Sequence, residues 1–311
     1  MSSIKEVVVN ELHKPARKNF RRRHVLVRGL NDLIQADLVE MIPYAKVNKG
    51  YRYILIVINV FSKFVWAEPV KRKTAIEVSN AMAKILSQMK YMPHNCQTDL
   101  GKEFYNKEFN NLMTQFKINH YSTYSNLKAS VVERVNRTLK NLMWKQFSLQ
   151  GTYKWINILP EIVNRYNETQ HRTHGLAPIK VNNKNATKLL QTAYSYLKTV
   201  DPKPVKFKVG DYVRISKYRE AFSKSYTPNW SNEVFIIRKV NRTNPTTYLL
   251  KDQNNQEIQG AFYGEEIQKT THHDFYLIEK VIRRDRNGKL LVKWLGLDKT
   301  HNSWIDKSDI V

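Results

Sequence analysis

Hydrophobic positions recur with two different periods along this chain, and the change of period divides it. Tyr51-Arg52-Tyr53-Ile54-Leu55-Ile56-Val57-Ile58-Asn59-Val60 is a near-continuous apolar run, as expected of a strand covered on both faces. Leu33-Ile34-Gln35-Ala36-Asp37-Leu38-Val39 is a second strand-like run, and Ser62 to Pro69 reads as a hairpin partner of the first. Over 74–90 the period lengthens. Val78, Met82, Ile85 and Met89 fall on one face of a predicted helix. A buried strand follows at Asn95–Leu100, then a short helix over 107–116, a strand at Ile118–Ser122 and two helices over 128–148 and 152–168. The order β-β-β-α-β-α-β-α-α predicts an α/β domain with a mixed five-stranded sheet over 31–170. Residues 171–202 read as a linker with a helix near 185–199.

Short alternating stretches then replace the long runs. Tyr212-Val213-Arg214-Ile215, Val234-Phe235-Ile236-Ile237 and Tyr248-Leu249-Leu250, with polar turns between, predict a small β barrel over 203–270. Residues 274–311 predict a third unit. Strands at 276–284 and 289–295 are joined through Arg286-Asn287-Gly288, and Asn-Gly between apolar runs is a strong hairpin signal.

Charge changes the picture most. Among 311 residues, 52 Lys and Arg face 27 Asp and Glu, a formal net charge of +25. Such an excess calls for a polyanionic partner, most often nucleic acid. A ribosomal or chromatin-coating protein that binds without chemistry also fits it. No apolar run approaches the ~20 residues that span a bilayer, so no membrane partner is expected. The start of the chain lacks a signal-peptide core. The one cysteine, Cys96, excludes an intrachain disulfide and is expected to be a small buried residue. Residues 1–30 carry Lys14, Arg17, Lys18, Arg21, Arg22, Arg23 and Arg28. They predict a basic arm, with DNA contact, a nuclear-import signal and a solvated tail as readings of similar weight. Paired His and Cys residues are missing there, which excludes a zinc module.

Against this basic background, three acids stand out. Asp37 lies inside an apolar strand, and Asp99 closes another in Gln97-Thr98-Asp99-Leu100-Gly101-Lys102-Glu103-Phe104. Glu133 lies 34 positions later on the predicted helix Val131-Val132-Glu133-Arg134-Val135-Asn136-Arg137-Thr138-Leu139-Lys140. Glu133, Asn136, Arg137 and Lys140 share one helix face. Taken singly, each acid has a bland explanation: a turn residue or a solvated helix face. Together, on strand, strand and helix, they suit a site holding two divalent ions for phosphoryl transfer.

These segments resemble the catalytic core of retroviral and retrotransposon integrases, a ribonuclease-H-like fold with an Asp, Asp, Glu triad. The closer likeness is to integrases of Maverick/Polinton elements and the related virophages. It is carried by Ala36-Asp37-Leu38-Val39-Glu40-Met41, Gly50-Tyr51-Arg52-Tyr53, Val60-Phe61-Ser62-Lys63, Gln97-Thr98-Asp99 and Lys128-Ala129-Ser130-Val131-Val132-Glu133-Arg134. Pro202–Arg214 and Ala261-Phe262-Tyr263-Gly264-Glu265-Glu266 match that family's barrel. The chain departs from the pattern in a shorter Asp99–Glu133 interval and in Asn59, where these elements usually carry Asp.

The resemblance implies two Mg²⁺ or Mn²⁺ ions per site, with Asp37 bridging both, Asp99 holding one and Glu133 the other. It implies 3′-end processing of element DNA, then strand transfer into chromosomal DNA. The partners are double-stranded DNA, as element ends and as target, and further copies of this chain. The compartment is a host nucleus, with carriage in a virion as a second setting. His120, Tyr121, Ser122, Tyr124, Asn126 and Lys128 would form a mobile loop beside the DNA ends, with Tyr124 and Lys128 touching DNA. Asn136, Arg137 and Lys140 would also contact DNA.

The resemblance extends to the C-terminal modules. An SH3-like barrel would add Lys206, Lys208 and Arg214 to the DNA surface, in a basic cluster with Lys203, Lys217 and Arg219. Residues 274–311 resemble a chromodomain through Tyr276-Leu277-Ile278-Glu279-Lys280-Val281, Leu291-Val292-Lys293-Trp294-Leu295-Gly296 and Ser303-Trp304. Tyr276 and Trp294 match two walls of a methyl-lysine cage, which would make a histone tail a partner. Leu297 stands where the third, aromatic wall is usual, and the sequence after Trp304 is short for the family's closing helix. Rival expectations are a catalytically silent DNA- and chromatin-binding protein and a ribonuclease-H-fold nuclease.

Overall fold

A computed structural model describes residues 3–17, 19–22, 25–122, 130–195, 205–217 and 226–309. The chain forms two units: residues 25–199, and residues 1–24 together with 200–311.

In the first unit, β1 (Leu33–Glu40), β2 (Tyr53–Asn59), β3 (Val65–Val70), β4 (Asn95–Thr98) and β5 (Asn119–Ser122) make one sheet in the order β3-β2-β1-β4-β5. The β1-β2-β3 meander is antiparallel, while β4 and β5 run parallel to β1. Parallel neighbours need crossovers, and α2 (Ala75–Ser87) and α3 (Lys107–Gln115) supply them. The alternation of β1 assigns its two faces. Ile34, Ala36 and Leu38 join Val78, Met82 and Ile85 of α2 and Phe109 and Met113 of α3 in one core. Val39 lies on the other face, with Ile54, Ile56 and Ile58 of β2, against α4 (Ser130–Gln150) and α5 (Leu159–Glu168). Residues of odd number in β1, Asp37 among them, therefore look towards α4. A helix α6 (Asn183–Gln191) packs through Leu189 on a smaller core with Val27, Leu30 and Phe61. The segment 25–30 thus belongs to this unit rather than to a free arm.

Three expected boundaries shift. Predicted helix 152–168 begins at Leu159, where Pro160 sits in the first turn and so loses no intrahelical bond. Predicted helix 185–199 is described only to Gln191, after which Thr192 takes a non-helical conformation. His120, Tyr121 and Ser122 are ladder residues of β5 opposite Cys96, Gln97 and Thr98, as the apolar pattern predicted a strand there, and not part of the loop that the resemblance implied.

In the second unit, β6 (Tyr212–Ile215), β7 (Phe235–Asn241), β8 (Thr247–Lys251), β9 (Phe262–Tyr263) and β10 (Ile267–Lys269) form an antiparallel sheet in the order β10-β6-β7-β8-β9. Its core holds Phe207, Val213, Phe235, Ile237, Tyr248 and Leu250. The strands β11 (Ile278–Arg284), β12 (Leu290–Trp294) and β13 (Ser303–Ile305) form a separate three-stranded sheet.

The N-terminal segment is not only an arm. Ser3 and Glu6 make a reciprocal capping box that starts α1 (Ile4–His13). Val8 and Leu12 bury themselves against Trp230. The helix's last carbonyls are also satisfied there: Trp230 Nε1 donates to Lys14 O (2.8 Å) and Asn229 N to Leu12 O (2.8 Å). No described helix is long and apolar enough to cross a membrane.

Candidate active site

Asp37 stands near the middle of the sheet. The parallel pairing sets Leu33 opposite Asn95 and Gln35 opposite Gln97, and Asp99, just past the end of β4, lies near enough to Asp37 for its charge to act on that carboxyl. Asp99 follows β4 directly, and its Oδ1 accepts from Gly101 N (3.0 Å). Glu133 is exposed on the first turn of α4. What anchors that turn is Gln35, fully buried two residues before Asp37 on the same sheet face. Its Oε1 accepts from Val131 N and Val132 N (3.0 Å each), two of the donors a helix start leaves unpaired, while its Nε2 donates to Gln97 Oε1 (2.8 Å).

Asn136, one turn after Glu133, is buried, and its Nδ2 donates to Asp37 Oδ2 (2.7 Å). The expectation of Asn136 as a DNA contact is therefore corrected: its amide faces the acid, not the solvent. Arg137 and Lys140 are exposed on the same helix. Tyr124 and Lys128 lie outside the described residues.

The electrostatics tie the three acids together. Burial pushes the Asp37 carboxyl up to about 6, and the charges of Asp99 and Glu133 push it the same way, against a backbone hydrogen bond from Leu38 and the Asn136 amide. Burial also raises Glu133, while Arg134 and Arg137 pull it down. Among the described residues, no three or more His, Cys, Asp or Glu, the trio Asp37, Asp99 and Glu133 included, stand closely enough together to hold a metal ion as a group. Mg²⁺ does not require such a group, because it commonly takes one or two carboxylates and completes its shell with water and substrate phosphate. The donor set fits such a hard cation. It is all oxygen, the charges of Asp99 and Glu133 bear on Asp37, and the buried Asn136 Oδ1 beside Asp37 has no hydrogen-bond partner among the described residues.

Other predicted residues separate clearly. Lys206 and Lys208 are exposed. Arg214 is not: its side chain is 1 % exposed, and Nη1 donates to Ser231 O (3.0 Å) and Asn232 O (2.6 Å). Glu11 Oε2 of α1 lies 3.7 Å from its Nε and accepts from Thr270 Oγ1 (2.8 Å). Arg214 is thus an interior clasp for α1 and is corrected as a DNA contact. Tyr276 and Trp294 are half-buried with ring centroids 5.9 Å apart and, with Leu297, line a cavity of about 260 Å³ that also takes in Glu233 and Asp252. Asn59 shows what its amide does. Nδ2 donates to Leu30 O (2.7 Å), while Oδ1 accepts from Phe61 N (3.0 Å) and Ser62 N (2.9 Å), a pairing an ionised carboxylate would leave without its donor. Cys96 is fully buried, its thiol pushed up to about 12 by burial.

Sequence reasoning missed Gln35 as the cap of α4. The one signal was a polar residue two places before Asp37, on the same strand face.

A mixed five-stranded sheet with an acid near its centre, a second acid after the neighbouring parallel strand and a third on a helix packed over it defines an integrase-type core. Residues 28–124 match the integrase core domain family. A transposon-derived protein of Caenorhabditis elegans is 30% identical over 213 residues, 68% of this chain and 71% of the worm protein. The chain therefore belongs to the family of proteins with a retroviral-type integrase core. The Pol polyprotein of Radiation murine leukemia virus (strain Kaplan) is 30% identical over 134 residues, 42% of this chain, and the match spans 23% of that polyprotein. The fold is shared with a chain in the cryoEM structure of the simian T-cell lymphotropic virus intasome in complex with PP2A regulatory subunit B56 gamma. The match has a TM-score of 0.56 and 18% identity, and covers 86% of this chain and 92% of that one.

Proposed function

We propose that this protein is a DNA integrase of the Maverick/Polinton type that performs metal-dependent 3′-end processing and strand transfer. The observation that carries this is the convergence on Asp37: Asp99 and Glu133, which lie far along the chain, both bear on its carboxyl, and Asn136 holds it from α4. In the first reaction, water attacks a phosphodiester near the element end, and the 3′ oxygen leaves as the free hydroxyl. In the second, that 3′ hydroxyl attacks a target phosphodiester, and the target's own 3′ oxygen leaves. Neither step needs a covalent bond to protein. Two Mg²⁺ or Mn²⁺ ions, held by Asp37, Asp99 and Glu133, would supply activation of the attacking oxygen and neutralisation of the leaving one.

The chain's own residues do the rest. Asn136 fixes the Asp37 carboxylate, Gln35 fixes the turn that bears Glu133, and Arg137 and Lys140 offer positive charge to the DNA backbone from the same helix. Lys206 and Lys208 extend the phosphate contacts from the SH3-like unit. The protein works as a homo-oligomer on paired ends, in a host nucleus.

A strand-transfer assay with a labelled oligonucleotide tests this. Joined products made by the wild type and lost in Asp99→Asn support it. Cleavage without joining indicates a nuclease, and DNA binding with neither product indicates a silent binder.

The C-terminal sheet supports a chromatin role. The cavity walled by Tyr276 and Trp294, with Glu233 and Asp252 at its edge, suits an alkylammonium group. Trimethyl-lysine histone peptides should bind it, and Trp294→Ala should abolish that binding.

A further inference from the structure

Glu103 is a buried carboxylate that the proposed chemistry does not use. It is 7 % exposed, and its Oε1 meets Lys73 Nζ at 2.8 Å. A buried carboxylate whose partner is removed is costly, so this pair has to be held together. Its surroundings explain what it is held against. The backbone of Gly101 lies directly on the Glu103 carboxyl: a Cβ added there would sit 2.5 Å from Cδ and Oε1 and 2.6 Å from Oε2. Gly101 is also the residue whose N–H donates to Asp99 Oδ1 (3.0 Å). The far side of the turn is pinned. Phe104 N and Tyr105 N both donate to Gly101 O (3.0 and 2.9 Å), Phe104 is fully buried in the core, and Asn106 Nδ2 donates to Glu103 O (2.7 Å) while its Oδ1 caps α3.

We propose that Lys73 and Glu103 form a positioning pair that sets the orientation of the Asp99 carboxylate through the Gly101 amide. Lys73 holds the Glu103 carboxyl in place, Glu103 backs the Gly101 peptide, and that peptide aims Asp99. The pair touches neither substrate nor ion. Lys73 stands just ahead of Thr74, the N-cap of α2, so the device ties the start of one crossover helix to the acid at the end of β4. The electrostatics agree with the geometry: the hydrogen bond to Glu103, with the charges of Glu103, Asp99 and Glu40, raises the Lys73 ammonium. The inference rests on the reading of Asp99 as a metal-holding acid, and it concerns only how this chain prepares that acid.

Two measurements on the full chain test it. The first is amide hydrogen exchange over the peptide spanning 99–105, without metal. Lys73→Met and Gly101→Ala should raise exchange there with the rest of the core unchanged, and Lys73→Arg should keep the wild-type rate. The second is Mn²⁺ binding by calorimetry. Lys73→Met should weaken it about tenfold, the scale seen when an outer partner of a metal ligand is lost, and Lys73→Arg should restore it to near wild type. If Lys73→Met does not fold, Glu103→Gln replaces it in both measurements with the same expected direction. Unchanged exchange over 99–105 together with unchanged Mn²⁺ affinity in the loss variants overturns the proposal. Wild-type protein that binds no Mn²⁺ would sink the metal-dependent function instead, and the exchange measurement would still decide the role of the pair.

Discussion

At the scale of single residues, the helix face that presents Glu133 divides its labour. Asn136 is buried against Asp37, while Arg137 and Lys140 are exposed. Two substitutions should therefore fail differently. On the proposed function, Asn136→Ala should lower strand transfer by about 10–100-fold with DNA affinity unchanged, because it would free a carboxylate proposed to hold metal. Lys140→Ala should weaken DNA binding and reduce the salt slope by about one unit if Lys140 makes the proposed phosphate contact. Activity and filter-binding measurements across salt concentrations separate them. Lys63 makes a prediction about pH. It is buried at a positive φ of 63°, its Nζ donates to Val60 O (2.6 Å), and burial pushes its ammonium down to about 8, with Arg134 acting in the same direction. The unfolded chain keeps that proton to a higher pH than the folded one. The stability deficit is therefore full below pH 8 and shrinks as the pH rises towards the ordinary lysine value of 10.5. Lys63→Met should stabilise the core at pH 7 by on the order of 2 kcal/mol, and the gain should shrink above pH 8 in denaturant melts.

At the scale of elements, the placement of α4 depends on a strand. Gln35 on β1 caps the helix start across 96 residues of sequence, and the same side chain holds Gln97 on β4. Gln35→Leu would leave two helix N–H groups without their acceptor in a dry site, a loss of about 2–4 kcal/mol. We expect a lower melting temperature and faster amide exchange in the first turn of α4, with β2 and β3 unaffected. The element types and their order were legible beforehand because periodicity is a local property: Ile54–Ile58 read as a covered strand and Val78, Met82 and Ile85 as one helix face. The cap was not legible. A glutamine in an apolar strand has many bland readings, and only the distance from Oε1 to two amides selects one.

At the scale of the whole molecule, the excess of positive charge is the property that composition stated first, and exposed Arg137, Lys140, Lys206 and Lys208 are where it becomes available. The N-terminal segment shows charge used otherwise. Glu11 of α1 faces buried Arg214, whose Nε and Nη2 make no hydrogen bond among the described residues. Glu11→Ala would leave that guanidinium without its counter-charge. It should cost about 2–3 kcal/mol, short of a fully buried pair because Glu11 keeps some solvent. The expected readout is early melting of the C-terminal unit and an increase in Trp230 exposure, detected by fluorescence, with the integrase core melting as before.

The sequence by itself determined most of the elements of the core, where three acids fall on them and an excess of positive charge that suits a polyanion. These depend on near neighbours and on totals. Tertiary structure decided which side chains those acids meet. It turned Asn136 inward to Asp37, buried Arg214 beneath α1 and set Gln35 under the helix that bears Glu133. Each of these rests on a contact between residues dozens to hundreds of positions apart, and the burial that gives such a contact its strength exists only once the chain has packed.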